Sequence, residues 1–201
     1  MSAIMRTLLA VVGFLALATP GAAEEAGGIK GTVTVGGSRQ PLAGAVVMID
    51  APPQSAAAGA PHVVVDQRDD TFVPHVTAVA VGTTVDFGNS DPRLHNVYSG
   101  SQAKRFDLGM FGQGKSKSVT FDKPGVVRVL CNVHPKMEAF VVVHTSPYVA
   151  VTDSQGIYTV ANVPPGSYPV RVWHESHPER QLTVTIRAGQ IQPLDANLAA
   201  R

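Results

Sequence analysis

Cys131-Asn132-Val133-His134-Pro135-Lys136-Met137 sets a thiol, an imidazole and a thioether three residues apart. Cys131 is the only cysteine among 201 residues. Thiolate and thioether are soft donors, and two imidazoles with a thiolate and a weak methionine form the electron-transfer copper arrangement. Zinc accepts Cys and His, but Met is not among its usual ligands. The stretch lacks one imidazole, and His95 in Leu94-His95-Asn96-Val97-Tyr98 is the candidate to supply it.

Outward from this stretch the chain reads as strands. Val127, Val129 and Cys131 share one face of a strand and aim the thiol inward. Phe140 to Val143 is an unbroken apolar run of buried-strand type. Upstream, Val79 to Val81 leads to Gly82, Thr83 to Phe87 then alternates, and Asn89-Ser90-Asp91-Pro92 breaks that strand just before His95. Residues 99–116 read as irregular, with Phe106, Leu108, Met110 and Phe111 as packing anchors. Short alternating segments recur at both ends, at Ile29 to Val35, Tyr158 to Val160, Tyr168 to Val172 and Leu182 to Ile186, and Ala45 to Ile49 reads as a further strand. No segment shows a 3.6-residue period. The expectation is an all-β protein, sandwich or barrel. Residues 51–61, rich in Ala, Pro and Gly, read as a linker.

The formal net charge is +1, and one of the 16 basic residues, Arg6, falls in the first 23 residues. A balanced chain has no basic stripe to neutralise phosphates, so nucleic acid is not an expected partner. Residues 1–23 read as a secretory signal peptide, with Arg6, an apolar run from Leu8 to Ala18, and Gly21-Ala22-Ala23 before a cut. That run is short for a bilayer span, which counts against the alternative, an uncleaved membrane anchor. The expectation is export to the periplasm, with no membrane span after cleavage. A solitary thiol in an oxidising compartment pairs with another molecule, oxidises or is protected, and metal ligation protects it.

Phe72-Val73-Pro74, Gly82-Thr83-Thr84-Val85-Asp86-Phe87-Gly88-Asn89, His95-Asn96-Val97 and the Cys131–Met137 stretch resemble the motifs of the cupredoxins. The similarity is to the plastocyanin and amicyanin branch, and it spans residues 62–146. It implies a Greek-key β-sandwich with one type 1 copper ion on His95, Cys131, His134 and Met137, the last axial and distant. It also implies that the second imidazole, His134, lies near the surface as the electron's exit, and that Asn96 bridges the two ligand loops. Ile29-Lys30-Gly31-Thr32-Val33, Pro41-Leu42-Ala43-Gly44-Ala45-Val46-Val47, Thr152-Asp153-Ser154-Gln155-Gly156-Ile157-Tyr158 and Val163-Pro164-Pro165-Gly166-Ser167-Tyr168 resemble carboxypeptidase regulatory-like domains, which are transthyretin-like β-sandwiches. Half of that signature precedes the copper block and half follows it. The expected layout is one sandwich split over 27–60 and 147–199, with the cupredoxin inserted after Asp50.

These resemblances imply a periplasmic blue-copper carrier of single electrons, with a dehydrogenase, cytochrome c or oxidase as redox partner and no catalysis of its own. The whole chain also resembles proteins connected with methylamine utilisation. Copper delivery with the same ligands, and a non-redox interaction module, are the alternatives. Each ligand has an ordinary reading by itself: a loop histidine, a core methionine, an inert thiol. His174 and His177 offer a candidate second metal pair, though a two-residue His spacing is common by chance. His62, His75 and His144 read as structural or solvated.

The short loop with Pro135 is similar to those of cupredoxins in which the second histidine leaves reduced copper on protonation. The reduction potential is therefore expected to rise as pH falls through the ordinary histidine range. A titration that stays flat between about pH 5 and 8 refutes this.

Overall fold

The computed structural model describes residues 25–53 and 62–200. The signal peptide read at 1–23 and linker residues 54–61 lie outside them. Among the described residues every regular element is a β-strand. The first three are β1 (Gly27–Val35), β2 (Gln40–Pro41) and β3 (Val46–Ile49). Then come β4 (His62–Arg68), β5 (Thr71–Val73), β6 (Val76–Ala80), β7 (Thr84–Asn89), β8 (His95–Ser99), β9 (Phe106–Phe111), β10 (Ser116–Thr120), β11 (Gly125–Leu130) and β12 (Glu138–His144). The last are β13 (Val149–Val151), β14 (Ile157–Val163), β15 (Gly166–His174), β16 (His177–Ile186), β17 (Ile191–Pro193) and β18 (Ala196–Leu198). No helix among the described residues is long and apolar enough to cross a membrane.

The strands β4 to β12 form two sheets, ordered β10-β7-β4-β5 and β6-β12-β11-β8-β9. Alternation decides what fills the space between them, because successive side chains of a strand point to opposite faces. Val85 and Phe87 of β7, Val97 of β8, and Val127 and Val129 of β11 are all fully buried in one cluster. Cys131 and Met137 belong to the same cluster. The ligand stretch thus grows directly out of a close-packed core.

The outer strands form two more sheets. β1 lies between β14 and β17 and also pairs with β2 and β18, while the other sheet runs β13-β3-β15-β16. A strand from residues 27–35 is therefore the centre of a sheet otherwise built mostly from residues 157–198. The two ends of the intervening stretch meet: the Ile49 amide donates to the Tyr148 carbonyl at 3.0 Å. Nearby, buried His144 contacts Asp50 through Nε2 at 2.7 Å.

A third cluster joins the two halves. Val46 and Met48 of β3 meet Val76 of β6 and Val142 of β12, with Phe140 and Trp173 packed beside them. This explains the unbroken apolar run in β12. Ala139, Val141 and Val143 face the inner core, whereas Phe140 and Val142 face the other sandwich. The strand is apolar on both sides because both sides are covered.

One expectation is corrected. Residues 106–111, read as irregular, form β9, which pairs with β8. It is an edge strand with Gly109 at φ +64° and a bulge opposite Asn96–Tyr98, so its burial follows no clean period of two. Of its expected anchors Phe111 is buried, Phe106 and Leu108 are partly buried, and Met110 is exposed.

Tyr158 of β14 donates its hydroxyl to the Leu194 carbonyl. Burial pushes its pKa up, and the charge of Asp195 adds to the effect. The folded state then holds this proton more tightly than the unfolded chain, so its stabilisation is intact below about pH 10, the ordinary tyrosine value, and is lost as pH rises above it. Tyr158→Phe should cost about 1 kcal/mol at neutral pH and flatten part of the alkaline loss. Urea midpoints at neutral and alkaline pH measure both effects.

Candidate metal centre

Two loops at one end of the inner sandwich carry the candidate ligands. The first is the turn from Asn89 to His95. Asn89 organises it: its amide nitrogen donates to the carbonyls of Arg93 and Phe111, each at 2.9 Å, and its oxygen accepts from the Asp91 amide at 2.9 Å. This side chain is buried and is therefore a fixed post for the turn. His95 follows as the first residue of β8.

The second loop runs from Cys131 to Met137. The Met137 amide donates to the His134 carbonyl at 2.9 Å, and the Cys131 amide donates to the Met137 carbonyl at 3.2 Å. The loop is closed at its base while His134 projects from its tip. Antiparallel β8 and β11 pair at Tyr98 and Leu130, which brings both loops to the same end of the sheet.

The structure brings His95, Cys131 and His134 together. Nδ1 of His95 lies 3.0 Å from Nδ1 of His134. Sγ of Cys131 is 4.0 Å from each of those nitrogens. His95 is 0% exposed, Cys131 4% and Met137 1%. His134 alone keeps an open edge, at 26%. Met137 closes the same loop and shares the Cys131 core cluster.

His95 is oriented from behind. Its Nε2 lies 3.0 Å from Oδ2 of Asp91, which also accepts the backbone amide of Asp70 at 2.9 Å. The Asp70 amide is the main cause holding the Asp91 carboxyl below its ordinary pKa, against burial, and the hydrogen bond and charge of His95 add to it. An ionised carboxylate at Nε2 sets the tautomer: the proton sits on Nε2 and the Nδ1 lone pair points at Cys131. Two imidazole nitrogens and a sulfur thus face one another at the edge of an apolar core. Such a donor set is costly without a cation, and sulfur with two imidazole nitrogens suits a soft transition metal.

Comparison with known proteins gives two kinds of match. The model of the carboxypeptidase regulatory-like domain matches residues 124–199. The resemblance to that domain read from the sequence therefore recurs among the matches. A copper-containing nitrite reductase from Thermus scotoductus SA-01 is 30% identical at a TM-score of 0.40, over 45% of this chain and 25% of its own. The chain thus spans about a quarter of that enzyme's length. A reduced variant of amicyanin is 28% identical at a TM-score of 0.39, over 49% of this chain and 98% of its own. A Cu(I) variant of amicyanin is 26% identical at 0.39, with the same coverages. Among curated proteins none matches.

The matched regulatory-like span begins at β11 and takes in β12, whereas hydrogen bonding places both strands in the inner sandwich. Asn96 does not bridge the ligand loops through its side-chain amide, as the resemblance implied. Its Nδ2 donates to Asp107 at 2.7 Å and ties β8 to β9 instead, while its oxygen is buried without a partner. The register shift between Asn96 and Tyr98 turns that side chain toward β9.

His174 and His177 stack with ring centroids 5.0 Å apart. Burial, then the neighbouring His177, pushes the His174 pKa down. Each uses a ring nitrogen on backbone, His174 accepting from the Ser176 amide and His177 facing the Ala199 carbonyl. Among the described residues the groups of three or more His, Cys, Asp or Glu side chains able to share an ion are His95–Cys131–His134 and Asp70–Asp91–His95. His75 and His144 serve structure, pairing with Glu175 and Asp50 across the two sandwiches.

The sequence reading missed Asp70 and Asp91. Asp91 was visible as a carboxylate four residues before a candidate ligand, but it was absorbed into the strand-breaking Asn-Ser-Asp-Pro turn. Asp91→Ala should weaken binding of a soft metal about 10- to 100-fold, since the His95 tautomer is no longer held. Competition with a chelator of known affinity measures this. An unchanged affinity means that His95 needs no orienting partner.

Proposed function

We propose that this chain is an exported blue-copper protein that passes single electrons between redox proteins. The observation that supports this best is the convergence of two imidazole Nδ1 atoms and one thiolate, drawn from two loops 36 residues apart, at the rim of an apolar core. His95, Cys131 and His134 would hold the copper ion, with Met137 in the same loop as a further soft donor. Copper, when bound, supplies a one-electron couple between Cu(II) and Cu(I).

The chain's own residues supply the rest. Asp91 and the Asn89 turn fix the ring of His95. The hydrogen bonds at the base of the 131–137 loop fix Cys131 against Met137. A ligand cage embedded in packed β-structure keeps its shape when the metal's charge changes, because close-packed interiors resist small displacements. The core excludes water on the side of His95, Cys131 and Met137. The exposed edge of His134 is the place where a partner could approach. Burial of the other three residues favours this reading over copper delivery, which needs the ion to leave quickly.

Residues 1–23, with the features of a signal peptide, support a periplasmic location. We take the chain to have no catalysis of its own, with a dehydrogenase, cytochrome c or oxidase as the class of partner. The outer sandwich carries no metal group among its described residues and fits a structural or recognition role.

The visible spectrum of the copper-loaded protein tests the proposal beside that of Cys131→Ser. An intense thiolate-to-copper band is expected in the first and none in the second. Copper uptake without that band, or a band that survives the substitution, contradicts it.

A further inference from the structure

The carboxylate of Asp70, unlike its backbone amide, has no role in the site so far described. It forms, with Asp69, the two-residue turn between β4 and β5, where Arg68 pairs with Thr71. Both turn residues have positive φ, +52° for Asp69 and +55° for Asp70. A tight hairpin turn of this kind requires positive φ at both central positions, and Asp or Asn adopts it more readily than most residues. The turn delivers the Asp70 carboxylate to the back of both imidazoles. Its Oδ1 lies 3.8 Å from Nε2 of His95 and 3.6 Å from Nε2 of His134. That oxygen is shielded from solvent and accepts no hydrogen bond. The other oxygen is held by Nη1 of Arg93 at 2.6 Å, and the Asp70 amide is held by Asp91. The distances to the rings exceed hydrogen-bond length, so charge is what reaches them.

We propose that Asp70 is a positioning residue whose carboxylate charge acts on both imidazole ligands at once and favours the oxidised site over the reduced one. This rests on the copper reading. A negative charge beside Nε2 favours N–H at that nitrogen and leaves the lone pair on Nδ1, the atom that faces Cys131. His95 has Asp91 as a second such partner. For Nε2 of His134, Asp70 is the carboxylate within reach among the described residues. The same charge lowers the reduction potential, because the oxidised centre carries one more positive charge. Arg93 opposes part of this field, and solvent screens part of it, since the Asp70 side chain is 38% exposed.

Two substitutions test the proposal. Asp70→Asn keeps the shape and tolerates the positive φ. It should shift the ratio of reduced to oxidised copper about tenfold toward reduced in a fixed redox buffer, which is about 59 mV for a one-electron couple. Arg93→Gln removes the opposing charge and should shift the ratio the other way. A purely structural role gives no such opposition of sign.

A potential unchanged in Asp70→Asn, or displaced in the same direction by both substitutions, overturns the inference. A chain that shows the thiolate-to-copper band while its potential ignores Asp70 keeps the electron-carrier reading and loses this inference, and a chain that takes up no copper refutes both.

Discussion

The pairing of β8 with β11 at Tyr98 and Leu130 is the contact on which the site depends. His95 begins one of these strands and Cys131 follows the other. Because the strands are antiparallel, the start of one lies at the end of its neighbour, and two residues far apart in sequence become neighbours. A slip of one residue would turn every core side chain of β11 outward. The buried run of Val127, Val129 and Cys131 therefore sets the register, and the register sets the ligand separation.

Around that pairing the polar groups fall into layers. Cys131, Met137 and His95 border the core and have no room to move. Asp91 lies behind His95; its carboxylate accepts the Asp70 backbone amide of the β4–β5 turn, and its own amide donates to the Asn89 side chain. Asp70 and Arg93 lie outside that, half open to solvent. Each layer is more exposed than the one inside it, so charge is admitted only where hydrogen bonds or water can support it. His134 bridges these layers, with one nitrogen toward the thiol and the other toward Asp70.

The two sandwiches are linked at several points. Ile49 and Tyr148 join the chain where it leaves and re-enters the outer sheets. His144–Asp50 and His75–Glu175 cross between the halves beside the apolar cluster of Val46, Met48, Val76 and Val142. Phe140 to Val143, which in the sequence suggested one buried strand, has its physical reason here. The strand faces a core on one side and another domain's sheet on the other.

The sequence by itself determined the all-β class and pointed to the donor types, because alternation in a strand and the softness of sulfur are local properties. The residues of β7, β11 and β12 were legible for that reason, and so was the short span from Cys131 to Met137. β9 was not, since an edge strand with a bulge and a glycine at positive φ shows no regular alternation. Only the tertiary structure decided that His95 meets the thiol, that Asn96 turns to Asp107, and that Asp91 and Asp70 stand behind the imidazoles. Those contacts join residues on different turns, and their distances depend on how sheets pair and pack, which no spacing along the chain records.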